Sequence, residues 1–246
     1  MPATRESRSR SKLTKQLRKV DELLTSMQYF RAETLCLETI DKACHYHFFD
    51  IVAHAAMPLL EAHRQKRVAA LEAGELFFIN EDLPHPEEIK PGVYLVAPPR
   101  VGMDGKRLRD AAHKNNVPVI TLVREPTTKT GLVPVVAIAR KTFRAKVEPY
   151  DQPTIDWVLG AIEALGESAL ELMPSNYVVH QQVDYLVQCI HTHPDYEKFY
   201  LLLADLAREA VREWDEIKAK GGSNYDDPFA EEDDFLEEDQ VSIDFD

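Results

Sequence analysis

Cysteine is scarce: Cys36, Cys44 and Cys189 are the only three in 246 residues. An odd, widely spaced set builds neither a disulfide framework nor a zinc motif, and it points to a reducing cytoplasm. Cys36 and Cys44 fall in a predicted helix and read as small core residues. Glycine is also rare, at nine. GMDGKRL at 102–108 has neither the three-glycine dinucleotide spacing nor the Gly-Lys-Ser/Thr of a phosphate loop. No apolar run approaches the roughly 20 residues that span a bilayer. The start, MPATRESRSRSK, lacks the apolar stretch of a secretory signal. Two His-x-His pairs, His45/His47 and His191/His193, lie in or beside predicted helices, where alternate residues diverge. No metal and no cofactor is expected.

Charge is unevenly placed. The formal net charge is −13. Residues 100–146 hold 11 bases against 3 acids, or +8, whereas residues 221–246 hold 11 acids and no base. The basic centre has no interleaved aromatics and the whole chain is acidic, so the composition argues against nucleic acid. With 44% apolar residues the remainder has enough to bury a core.

The chain is organised around residues 92–126. Val93–Ala97 and Val117–Val123 are short β-branched runs, and Leu108, Ala111 and Ala112 between them have helical spacing after Asp104, a plausible N-cap. That is a βαβ unit with parallel strands. Leu76–Asn80 adds a strand before it. Val133–Ala139 and Thr142–Val147 add a hairpin after it, so residues 75–150 read as a small mixed sheet.

Helices flank this core. Residues 1–11 are expected to be a disordered basic arm. Residues 12–74 read as helical hairpins: Leu13, Leu17, Val20, Leu24 and Met27 form one stripe, Tyr29 and Phe30 mark a turn, and a second helix follows. A third runs from about His47 to Ala73, with a kink or break expected at Pro58 and Gly74 as its C-terminal glycine. Residues 151–220 hold the C-terminal helices, the last expected to be capped by Thr192 with Asp195 three positions on. Its stripe includes Leu203 and Leu206. The fold class is therefore mixed α/β: a central βαβ unit in a small sheet between N- and C-terminal helical hairpins.

The stretch QYFRAETLCLETI at 28–40 resembles part of a tetratricopeptide hairpin, with Tyr29 and Ala32 at the aromatic and close-packing positions and Gln28 where that family has glycine. The resemblance covers about 35 residues. It implies helix-on-helix stacking, with a partner-binding groove, and no chemistry.

Two functional readings follow. Residues 221–246 interleave acids with Phe229, Phe235, Leu236 and Phe245, a pattern that builds no core but suits docking into a protein partner. This makes the chain a cytoplasmic adaptor rather than an enzyme, with no catalytic residue assigned. The alternative is a binding or enzymatic domain for an anionic small molecule. Ligands of open α/β sheets bind beyond the carboxyl ends of parallel strands. The loops there offer Arg100, Gly102, Lys106, Arg107, Arg124, Thr128, Lys129 and Thr130, a set suited to phosphate or carboxylate.

Overall fold

A computed structural model describes residues 4–219 of the chain. The acidic segment with Phe229, Phe235, Leu236 and Phe245 lies outside these residues. Seven helices and five strands make up the described part.

Helices α1 (Arg5–Thr25), α2 (Tyr29–His45) and α3 (Phe49–Glu72) come first and pack on one another. Two short turns separate them, with Met27 and His47 in the left-handed region at φ 59° and 55°. The first turn lies at Ser26–Gln28, and Tyr29 and Phe30 open α2 instead of marking the turn. The expected disordered arm of residues 1–11 is corrected from Arg5 on. The helix already starts at Arg5, where the Thr4 hydroxyl accepts from the Ser7 amide. Its register is then fixed by Arg10, which grips both oxygens of Asp50 on α3. The periodicity of apolar residues missed this turn because its tertiary anchor is charged. Helix α3 runs through Pro58 without a break, and Gly74 sits just past its end at φ 68°, as a C-terminal glycine should.

The sheet has strands β1 (Leu76–Ile79), β2 (Gly92–Val96), β3 (Val119–Arg124), β4 (Val133–Ile138) and β5 (Thr142–Val147), in that spatial order. The first three are parallel, β4 runs antiparallel to β3, and β5 runs antiparallel to β4. Helix α4 (Gly102–Lys114) joins β2 to β3, completing the βαβ unit. Every residue of β2 is buried because both faces are covered. Tyr94, Val96 and Val123 meet Leu108 and Ala112 of α4 on one face. Val93, Leu95, Ile120 and Leu122 meet the main helical core on the other.

Helices α5 (Ile155–Glu171), α6 (Val179–Thr192) and α7 (Lys198–Ala219) complete the chain. They share a continuous core with α1–α3, from Leu13 through Val93 and Phe143 to Trp214. The layers are thus α4, the sheet, then six helices. The cap expected of Thr192 and Asp195 is absent. Thr192 ends α6, its hydroxyl donating to the Gln188 carbonyl and accepting from the Lys141 amide, and α7 begins only at Lys198. Asp195 is engaged elsewhere, as described below.

Two glycines of α5 make a paired test of this packing. A Cβ on Gly166 would lie 2.2 Å from Cγ of the buried Tyr196 ring, whereas one on Gly160 would meet nothing within 4 Å. Alanine gains about 1 kcal/mol over glycine in a helix, and overpacking costs about 1–3 kcal/mol. Gly160→Ala should therefore raise stability by about 0.5–1 kcal/mol in urea unfolding, and Gly166→Ala should lower it. Equal effects would show that α5 does not sit against Tyr196.

Candidate functional site

Strands β3 and β4 pair over only Val123↔Val136 and Arg124↔Val135, at the carboxyl end of β3. Toward the amino end of β3 the ladder stops, and a cleft of about 440 Å³ occupies the region. Its walls come from α2, α3, α4, the start of β3, the β4–β5 turn and the α6–α7 connection. Four lysines and arginines line it, Lys66, Lys106, Arg109 and Arg140, against the carboxylates Glu33, Asp110 and Asp195.

At its base, His63 on α3 stands between two carboxylates. Its Nδ1 is 2.9 Å from Glu33 Oε1 and its Nε2 is 3.1 Å from Asp195 Oδ1. All three side chains are buried. Both ring nitrogens face acceptors, so the satisfying state is an imidazolium donating at each end. Burial alone would lower the His63 pKa, but hydrogen bonds to Asp195 and Glu33 outweigh it and raise the pKa above the ordinary range. Burial would likewise raise both carboxyls. The ammonium of Lys66, with hydrogen bonds from His113 and His63, instead holds Glu33 well below its usual value, and His63 holds Asp195 low. The Tyr200 ring stacks on the imidazole at 5.9 Å, while its hydroxyl donates to the Pro194 carbonyl.

Lys66, one turn beyond His63, binds the second oxygen of Glu33 and lies 4.7 Å over the Phe30 ring. His113 of α4 places Nδ1 3.2 Å from the same oxygen and Nε2 2.9 Å from the Thr34 hydroxyl. Glu33, His63, Lys66 and Asp195 form a quartet whose charges cancel. His63 offers no free nitrogen to take a proton from a substrate, so the arrangement holds charge in place and supplies no general base here.

Arg109 is different. It crosses from α4 to the end of α6, donating to the Thr192 carbonyl at 3.1 Å and the His191 carbonyl at 3.5 Å. It has no carboxylate within ion-pair distance among the described residues. Lys106 pairs with Asp110, and Arg140 with Asp41, which His191 also contacts at 3.0 Å. His193 is buried against the Ile162 carbonyl, and burial pushes its pKa down to about 4, so it stays neutral.

No family model, curated protein or solved structure matches this chain. The site must be read from its own geometry.

The carboxyl ends of β2 and β3 are neighbours, as the loop hypothesis required. Their residues scatter, however. Arg100 binds the Glu81 carbonyl and Asp82, and Arg107 leans on Asp104. Asp104 is not the N-cap but the third helical residue, accepting from the Val101 amide. Arg124 lies 5.9 Å from the Tyr150 ring. Thr128 and Thr130 bond each other, and Lys129 is exposed. Gly102 is filled by Ile138, whose Cδ1 would be 2.4 Å from an added Cβ, so its role is close packing of α4 on the sheet. Of the eight residues, Lys106 alone lines the cleft described above.

Sequence reasoning missed Glu33, His63, Lys66, Arg109, His113 and Asp195. One signal was present: His63 lies four residues after Leu59 and three after Leu60, on the apolar face of α3. A polar residue at a core position requires a partner.

Proposed function

We propose that this protein binds a small anionic molecule in the cleft between α2, α3 and α4. The observation that carries the reading is Arg109, a guanidinium inside a walled cleft with only carbonyl oxygens as hydrogen-bond partners among the described residues. Because the quartet around His63 is neutral, and Lys106 and Arg140 have acids of their own, Arg109, which feels Asp195 only through space, is the charge left for a ligand. The rigid carboxylate–imidazolium–carboxylate base fixes the cleft's shape in advance, which lowers the ordering cost of binding. At constant ionic strength, an anion at a hundredfold excess over its Kd should raise the thermal midpoint by about 5–10 °C. Arg109→Gln should abolish that shift. An equal shift in the variant would overturn the assignment.

A second reading rests on the acidic, aromatic sequence of residues 221–246. It makes the chain a cytoplasmic adaptor whose stacked, tetratricopeptide-like N-terminal helices and acidic tail dock onto a protein partner. Among the described residues no helix is long and apolar enough to cross a membrane.

A further inference from the structure

We infer that the ligand is a monoanionic organic acid with an apolar body, its carboxylate on Arg109 and its body along the apolar lining of the cleft. This rests on the cleft being the binding site. One wall is the polar face of α4, where Lys106, Arg109, Asp110 and His113 recur at helical spacing. The apolar wall is formed by the half-buried Phe30, Leu37, Val117 and Val119, from α2 and the start of β3, over the buried Leu59 and Ile190. The volume of about 440 Å³ is many times the ~30 Å³ share of one water, so acetate or a single phosphate would leave that wall bare.

Charge sets the number of acidic groups. The lining holds four Lys/Arg and three carboxylates, a formal +1. Protonated His63 raises this to +2, and Asp41, which pairs with Arg140 from just outside the lining, returns it to +1. One carboxylate neutralises the site. A dianion would leave an excess negative charge beside Glu33 and Asp110 and suffer for it. The apolar wall favours a long body over a short one, because each methylene it covers leaves water.

Isothermal titration of the full chain with acetate, hexanoate, octanoate, octanol and inorganic phosphate, at one ionic strength, tests this. Affinity should rise about fourfold per methylene from hexanoate to octanoate. Octanol and phosphate should bind at least tenfold more weakly than octanoate. Arg109→Gln should weaken octanoate at least tenfold, and Arg100→Gln, outside the cleft, should not. Since Arg109 also holds the end of α6, Lys106→Gln is the second variant, at a half-buried position, and should weaken octanoate severalfold without changing the thermal midpoint. If acetate and phosphate bind as well as octanoate and still need Arg109, the anion site stands and the organic-acid inference falls. Octanoate binding that ignores both Arg109 and Lys106 overturns the inference as non-specific adsorption. Binding of none of the probes overturns the inference and the proposed function together.

Discussion

Replacing His63 with leucine is expected to cost on the order of 3–5 kcal/mol of folding stability, measured by urea unfolding near pH 6. The imidazole itself contributes little apolar surface. The loss comes from what stays behind: two buried carboxylates, Glu33 and Asp195, that no longer face a cation on that side. Glu33 keeps Lys66 and His113, so Asp195 is the worse stranded. Adding Asp195→Asn to His63→Leu should therefore recover part of the loss, although each change alone destabilises. The pH dependence has a defined sign. His63 has a raised pKa in the fold, so its contribution is fully present below the ordinary imidazole value and declines as pH rises through the folded value. Glu33 and Asp195 have lowered pKa values, so theirs is present above the ordinary carboxylate range and declines as pH falls through the folded values. The difference between wild type and His63→Leu should peak at about pH 5–6.5 and narrow on both sides. Buried His193 has a pKa of about 4 and acts in the other direction below its ordinary value, but it is present in both proteins and largely cancels. A cost under about 1 kcal/mol, or one that does not change with pH, would mean that the network is not a carboxylate–imidazolium–carboxylate bridge.

The sequence carried those parts of the fold whose cause is local. The run VYLV is continuously apolar because both faces of β2 are covered, VITLV is β-branched and apolar but for Thr121, and these patterns need no knowledge of the partners. Gly74 was legible at the end of α3 because a left-handed residue there has a strong chemical preference. The candidate site was not legible, for the opposite reason. Glu33 and His63 are 30 residues apart, and His63 and Asp195 are 132 apart. Their charges become compatible with burial only through each other. Asp195, three residues after Thr192, has the spacing of a helix cap. The chain instead leaves α6 at Thr192 and turns Asp195 inward to His63, and an aspartate's preference for caps carries no information about a histidine on a distant helix. The anion hypothesis had the right side-chain chemistry in Lys106. It looked to the carboxyl ends of the strands, and the cleft lies toward the amino end of β3, where the β3–β4 ladder stops. The two-residue ladder is a pairing between strands, and neither strand's composition marks where it stops.

The other large effect is expected on α7, whose phase decides whether the back of the cleft is firm. Leu203 is fully buried and Leu206 only partly so. Sequence periodicity ranked them alike. Leu203 lies three residues after Tyr200, on the same face of the helix, and Tyr200 stacks on His63 and lines the cleft. Truncating Leu203 to alanine removes buried methyl groups and leaves a void, at a cost of about 2–5 kcal/mol. For a chain of this size that lowers the thermal midpoint by about 4–20 °C. Leu206→Ala should cost clearly less, since its side chain already meets water on one side. If α7 backs the cleft, the void beside Tyr200 should also weaken organic-acid binding, while Leu206→Ala leaves it unchanged. A Leu206→Ala cost equal to that of Leu203→Ala would centre the buried face of α7 midway between the two, about 30° from Leu203 and about 90° from Tyr200, since three residues advance a helix by about 300°, and Tyr200 could not then be the wall on which His63 rests.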